Sequence, residues 1–228
     1  VLDTRASLGD GPAGETKLEY LRAVALAHLD RARRDRDPVG YAIVGADGIL
    51  DSAPPRVGDA HYDAVRQALL DATPGSGASG RRDPGHARRR VASLGTADSA
   101  FARRLRPFLE AGAYTRESET PLRAAVEATE VTGTVWTIVL TDDTDPQGLR
   151  EAVATAVQGD RRVRALLAPS ALFAADGLTD LDAAYGAYRD FEELRQRLDS
   201  QQRVEAYEVG PGDRLDAILA RATREATP

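Results

Sequence analysis

The chain has 228 residues, a formal net charge of −6 and a pI of about 5.2, with 42% hydrophobic and 29% charged residues. This composition supports a sizeable core, and the acidic balance disfavours general nucleic-acid binding. The absence of cysteine excludes disulfides, thiol nucleophiles and thiolate zinc sites. No apolar run approaches the roughly 20 residues that a membrane-spanning helix needs.

Helical and extended segments alternate along the first third of the chain. The first strand, Val1 to Asp3, is shorter than the five or six residues of a typical strand, so we expect further apolar strand residues upstream. Hydrophobic spacing then predicts a helix over 17–34, a buried strand over 39–44, a hairpin strand near 49–52 and a helix over 61–72.

The segment 73–90 is rich in Gly, Ser, Pro and Arg, which favours a flexible, exposed insertion. Beyond it, Thr120 and Asp145 each precede a proline and are typical helix caps. We predict helices over 97–110, 121–129, 146–157, 188–198 and 215–223, and strands over 135–140, 163–167 and 204–209. Strands that alternate with helices favour parallel pairing, so the prediction is one doubly wound α/β domain over residues 1–228.

Oxygen-bearing side chains follow the ends of two of these strands. Asp3 ends the first strand, with Ser7 shortly after it, and Asp142 ends the strand that is most strongly predicted. Thr120 lies between them in sequence, at the start of a helix. Ligands of doubly wound sheets bind at the carboxyl ends of the strands, and oxygen-only sets suit a hard cation such as Mg²⁺. Asp145 is more simply explained as a helix cap.

Asp3, Ser7, Thr120 and Asp142 match, in order and context, the metal-ion-dependent adhesion site of von Willebrand factor type A domains, which the chain resembles. The stretches KLEY from residue 17 and DPVGY from residue 37 are similar to a bacterial and archaeal branch, domain-of-unknown-function family 58. The resemblance covers nearly the whole chain in element order. It implies a six-stranded sheet in the order 3-2-1-4-5-6, with Asp3 and Asp142 on adjacent strands.

The same resemblance carries expectations about function. It implies a non-catalytic protein–protein interaction domain, an adaptor, that works with a MoxR-type ATPase. It also implies a longer parent protein whose upstream membrane segments tether a cytoplasmic A domain. In an intact site the cation keeps an open position that an acidic group of a partner fills.

Arg5 departs from the motif, because it stands where the first motif serine belongs. Residues i and i+2 project to the same side of a strand, so we expect Arg5 to lean toward the two carboxylates. Its guanidinium would pair with them and repel a divalent ion. The hypothesis is therefore a degenerate site that binds Mg²⁺ weakly or not at all. The alternative is that Arg5 turns to solvent and the metal remains.

A metal-assisted hydrolase or a nucleotide-binding enzyme that uses the same crevice is the alternative function. Gly9, Gly11 and Gly14 satisfy G-x-G-x-x-G between a strand and a helix. However, Asp10 would place negative charge at a pyrophosphate, and Pro12 lacks a backbone donor. We expect no His or Lys near the crevice, and hence no catalysis. The arginines within 81–90 predict a solvated loop or a surface that docks on an acidic partner.

Overall fold

The computed structural model describes residues 1–75, 120–129, 135–159, 161–173 and 181–211. Six strands form its sheet: β1 (Leu2–Asp3), β2 (Val39–Gly45), β3 (Gly48–Arg56), β4 (Trp136–Asp142), β5 (Arg162–Ala168) and β6 (Val204–Glu208). Their spatial order is β3-β2-β1-β4-β5-β6, with β3 antiparallel to β2 and the other neighbouring pairs parallel. The predicted doubly wound α/β fold is confirmed.

Five α-helices accompany the sheet in the described part of the chain: α1 (Lys17–Asp35), α2 (Asp59–Asp71), α3 (Pro121–Ala128), α4 (Pro146–Gln158) and α5 (Leu181–Asp199). Two short 3₁₀ helices follow strand ends, at Ala6–Gly9 and Ser170–Leu172. None of the helices described is long and apolar enough to cross a membrane.

Alternating side chains along the strands divide the core into two layers. Leu140 and Leu166 face a cluster built largely from α1 and α2, whereas Val139 and Leu167 face one built from α3, α4 and α5. Burial on both faces explains why the parallel strands are apolar almost throughout. The buried charged side chains of the described strands are Asp3 and Asp142 at strand ends and Arg164 within β5.

The helix starts follow from local chemistry. Thr16 caps α1, because its hydroxyl accepts from the amide of Glu19 while the Glu19 carboxylate accepts from the Thr16 amide. Asp145 caps α4 by accepting from the Gly148 amide, as predicted. A strand-to-helix crossover places the amino terminus of the helix at the carboxyl edge of the sheet. The start of α1 is therefore close to the ends of β1 and β4.

Most predicted elements agree with the structure to within two residues. Two are longer than predicted: β3 runs to Arg56 instead of residue 52, and α5 begins at Leu181 instead of residue 188. Pro54 and Pro55 obscured β3 in the sequence, but an edge strand tolerates prolines because its outer amides need no partner. The helices predicted over 97–110 and 215–223, and residues 76–90 of the predicted insertion, lie outside the described residues.

Candidate functional site

The ends of β1 and β4 bring two buried carboxylates to the same edge of the sheet. Leu2 pairs with Leu140, so Asp3 lies beside Thr141 and Asp142. Asp3 is fully buried and Asp142 is 1% exposed. The Thr141 hydroxyl donates to Asp3 Oδ2 at 2.6 Å. A carboxylate is costly to bury without compensation, so the partners of both aspartates determine what this site does.

Arg5 compensates Asp3. Its Nη2 and Nε donate to Asp3 Oδ2 at 2.7 and 2.9 Å, and its backbone amide donates to Asp3 Oδ1 at 2.9 Å. Nη1 reaches Asp145 Oδ2 at 3.0 Å. Burial by itself would lower the pKa of Arg5. The hydrogen bonds with Asp3 and the negative charge of Asp3 together have the larger effect, so the pKa of Arg5 is raised. Arg5 thus turns inward, as expected, although its second partner is Asp145, not Asp142.

Lys17 compensates Asp142, and here the sequence-based expectation of no lysine near the crevice is wrong. The Lys17 side chain is fully buried, and Nζ lies 3.1 Å from Asp142 Oδ2 and 3.0 Å from Asp10 Oδ2. As the first residue of α1, Lys17 lies at the carboxyl edge of the sheet, and its long side chain extends into the crevice. Sequence distance from the strand ends concealed this placement.

Hydroxyl groups complete the surroundings of Asp142. Its Oδ1 accepts from the Thr144 hydroxyl at 2.6 Å and from the Thr144 amide at 3.2 Å. Ser7 Oγ lies 3.2 Å from Thr144 Oγ1. Burial raises the pKa of Asp142, but hydrogen bonds from Thr144 and Ser7 and the charge of Lys17 outweigh it, so the pKa lies below its ordinary value of 3.8. The aspartate is therefore held ionised.

The network continues to the end of β5. Lys17 Nζ donates to Ser170 Oγ at 2.8 Å, and the Ser170 hydroxyl and amide both donate to Asp143 Oδ1. A serine beside a lysine can act as a nucleophile with its base, but only if the amine is neutral. Lys17 Nζ instead forms ion pairs with two carboxylates, at 3.0 and 3.1 Å. The arrangement therefore provides structure more readily than catalysis.

Three of the four predicted metal ligands, Asp3, Ser7 and Asp142, belong to this network, whereas Thr120 does not join it by hydrogen bonding. Thr120 occupies the cap position of α3 but makes no capping hydrogen bond. Its Oγ1 is buried without a partner in the described part of the chain. The helix therefore begins after Thr120 as predicted, but the Thr120 hydroxyl makes no hydrogen bond to it in the part of the chain that the structure describes.

The carboxylate geometry does not fit a divalent cation. Both oxygens of Asp3 accept hydrogen bonds from Arg5, and Thr141 adds a further one. Asp142 Oδ2 accepts a hydrogen bond from Lys17 Nζ, and Asp142 Oδ1 accepts one from the Thr144 hydroxyl. Among the residues that the structure describes, no group of three or more His, Cys, Asp or Glu could hold a metal ion. The oxygens that Mg²⁺ would need are already engaged by protein cations and hydroxyls.

The glycine-rich loop also has a structural explanation. Gly11 has φ +118°, and a Cβ there would lie 2.7 Å from the carbonyl oxygen of Glu15. The Lys17 amide donates to the Asp10 carbonyl at 3.0 Å, and Thr16 caps the helix. These contacts engage donors that a pyrophosphate would need at the helix start. The antiparallel β2–β3 hairpin further departs from a dinucleotide fold, where successive parallel strands require crossovers.

A cavity of about 600 Å³ lies at the opposite, amino-terminal edge of the sheet. Its walls include Trp136, Tyr41 and His28 together with aliphatic residues of α1, β2 and β4. The Nε2 atom of His28 is buried and has no hydrogen-bond partner among the residues that the structure describes. Burial, and then the charges of Arg164 and Arg31, lower the pKa of His28 to about 4. His28 thus lines this cavity, at the edge opposite the strand-end carboxylates.

Comparisons with protein-family models, curated proteins and solved structures found no match. The site is therefore interpreted from its own geometry. Sequence reasoning missed Lys17, Thr141, Asp143 and Ser170. One signal was available, because Lys17 shares a helix face with Leu21 and Val24 at spacings of four and seven residues. A single lysine on a buried helix face indicates a buried acidic partner.

Proposed function

We propose that this domain is a non-catalytic protein–protein interaction module, an adaptor of the von Willebrand A type with a degenerate metal-ion-dependent adhesion site. The observation that carries the proposal is the pairing of each buried strand-end carboxylate with a cation of the chain itself. Arg5 holds Asp3, and Lys17 holds Asp142. Neither acid is free to act as a base or as an open metal ligand, which favours binding over catalysis.

The sheet supports the same proposal at a coarser level. Its order, β3-β2-β1-β4-β5-β6, is the order that the resemblance implies, and Asp3 and Asp142 end neighbouring strands. Many unrelated functions share doubly wound sheets, so this agreement supports the fold relationship more strongly than the function. The functional argument depends on the side chains.

The surface at the carboxyl ends of β1, β4 and β5, the strand-end face, suggests which side chains a partner would present to it. Leu172, which follows β5 next to Ser170, is 42% exposed. The network contains five aspartates (3, 10, 142, 143 and 145) and two cations (Arg5 and Lys17), so 2 − 5 leaves a net charge of −3. An acidic face with an exposed leucine favours a partner with basic and apolar side chains. The proposed partner is a MoxR-type ATPase. In this proposal the chain is the cytoplasmic domain of a membrane-tethered parent protein, and it binds the ATPase through this face.

Matched leucine variants test the interaction. Leu172→Glu places a charge on the proposed face, and Leu70→Glu makes the same change on α2, where the leucine is 47% exposed. We expect Leu172→Glu to weaken binding of the MoxR-type ATPase from the same genome by about tenfold or more. Leu70→Glu should bind as the wild type does. Biolayer interferometry with the purified ATPase measures both.

The enzyme alternative predicts different results. A nucleotide or NAD that raises the melting temperature would indicate a ligand that binds the folded state. Turnover of a phosphoester, peptide or glycoside that disappears in Asp3→Ala would place chemistry in the crevice. Either result, or equal ATPase binding by the wild type and Leu172→Glu, contradicts an adaptor that uses this face.

A further inference from the structure

We infer that Lys17 and Arg5 together take the place of the divalent cation that the strand-end carboxylates would otherwise need, and that Lys17 alone suffices to exclude it. The inference deepens the proposed function, because it concerns the same face. From the sequence, the exclusion of the metal is predicted to depend on Arg5 alone, because Arg5 is the residue that departs from the motif. The inference assigns it chiefly to Lys17.

Each cation serves a different carboxylate. Arg5 forms a two-pronged contact with Asp3, with Nη2 and Nε both within 2.9 Å of Oδ2. Lys17 Nζ lies 3.1 Å from Asp142 Oδ2, and the side chains of both residues are fully buried. Removal of the Arg5 guanidinium therefore frees Asp3 but leaves the second carboxylate occupied. A cation that must contact both acids remains excluded.

Burial makes Lys17 the stronger of the two barriers. The Arg5 side chain is 17% exposed and can move toward solvent, whereas Lys17 has no exposed surface. Lys17 is further fixed by Asp10 at 3.0 Å and by Ser170 at 2.8 Å. A divalent ion beside Asp142 would have to displace an ammonium that three oxygens hold. Like charges at such short range repel strongly where water is excluded.

The three contacts of Lys17 also connect three segments. Asp10 belongs to the loop between β1 and α1, Asp142 ends β4, and Ser170 follows β5. In a metal site the bound ion makes such connections. Here a covalently attached cation makes them, so the shape of the face does not depend on the metal concentration.

Metal titration of four proteins tests this assignment: the wild type, Arg5→Ser, Lys17→Met and the double variant. Methionine keeps the length of the lysine side chain without its charge. Melting temperature and isothermal titration are measured with millimolar Mg²⁺ or Mn²⁺, against KCl of equal ionic strength and EDTA. We expect no metal effect on the wild type or Arg5→Ser, and metal-dependent stabilisation of the double variant. Metal binding by the wild type, or its appearance in Arg5→Ser alone, would overturn the inference.

A second measurement keeps the test decisive if the double variant does not fold. Lys17→Met leaves Asp142 buried and unpaired, so Asp142→Asn in the same chain should recover at least half of the lost denaturant midpoint. Asp10→Asn should recover little, because Asp10 is 55% exposed and is solvated without the lysine. If Asp142→Asn and Asp10→Asn recover the denaturant midpoint equally, or if Asp142→Asn recovers none of it, the pairing of Lys17 with Asp142 is contradicted. Partner binding by the leucine variants is independent of these results, so failure of one proposal is distinguishable from failure of the other.

Discussion

Buried polar groups have different hydrogen-bond and charge partners at the two edges of the sheet. At the carboxyl edge, Asp3, Lys17 and Asp142 are buried with charged and hydroxyl partners on every side. At the amino edge, a cavity of about 600 Å³ has apolar walls, and the Nε2 of His28 and the Nε of Arg161 lack hydrogen-bond partners in the described chain. The carboxyl edge compensates its buried charges with counter-charges and hydroxyls, whereas at the amino edge these two nitrogens have no such partner among the described residues.

This difference shows that burial alone does not identify a functional site. Asp142 is fully buried and His28 is partly buried, but the cause of the pKa shift differs between them. Hydrogen bonds and the charge of Lys17 overcome burial and lower the pKa of Asp142, which keeps it ionised. At His28 burial dominates and lowers the pKa, which keeps the imidazole neutral. The next three predictions test the contrast, from the largest expected effect to the smallest.

Replacement of one cation at each edge should have unequal costs. Lys17→Met leaves a fully buried carboxylate without its cation, and we expect a loss of about 3–5 kcal/mol in the free energy of unfolding. Arg164→Met removes a cation that stacks 4.6 Å from the centre of the Trp136 ring and pairs with Glu205. Glu205 is 22% exposed and can be hydrated, so about 1–2 kcal/mol is expected. Urea denaturation measures both.

Equal losses in the free energy of unfolding for Lys17→Met and Arg164→Met would contradict the predicted contrast between the edges. A smaller cost for Lys17→Met would mean that Asp142 reaches water or takes up a proton at little cost.

Acidification should destabilise the amino edge first. The unfolded chain takes up a proton on His28 near its ordinary pKa of 6.5, whereas the folded protein does so only near 4. The contribution of neutral His28 is complete above the ordinary pKa and is lost as the pH falls toward 4. We expect a loss of about 2 kcal/mol between about pH 7 and about pH 5.

His28→Gln removes the titrating group and should abolish most of this loss, measured by urea denaturation at both pH values. The contribution of Asp142 does not change in this window, because its ordinary pKa of 3.8 and its lowered pKa in the folded protein both lie below about pH 5. Its own contribution is lost only in stronger acid, as the pH falls through its lowered pKa. An unchanged pH dependence in His28→Gln would show that the imidazole is not held neutral by burial.

Two threonines of β4 allow the smallest comparison. Thr141→Val removes the 2.6 Å hydrogen bond to buried Asp3 while it preserves side-chain shape. We expect a loss of about 1.5 kcal/mol or slightly more, as for a hydrogen bond to a charged group. Thr137→Val makes the same change at the cavity edge and should cost less than half as much. Differential scanning calorimetry can rank them, and a larger effect at Thr137 would reverse the comparison.

The sequence alone determined the order and type of most elements in the described chain. Short apolar runs distinguished the buried strands from the helices, in which apolar residues recur with a period of about 3.6, and Asp145 before Pro146 marked the start of α4. The positions of Asp3 and Asp142 at strand ends also followed from the sequence, and alternation of strands with helices required those ends to share one edge. The inward turn of Arg5 followed from its two-residue spacing from Asp3.

Only the tertiary structure decided which cation meets which acid. Lys17 and Asp142 are 125 residues apart, and a 3.1 Å contact between them depends on the packing of α1 against the sheet. Ser170 reaches Lys17 across 153 residues for the same reason. Local patterns specify helices and strands because neighbouring residues set the backbone conformation. The partners of a buried charge depend on which distant segments share the space from which water is excluded, and that space exists only in the folded chain.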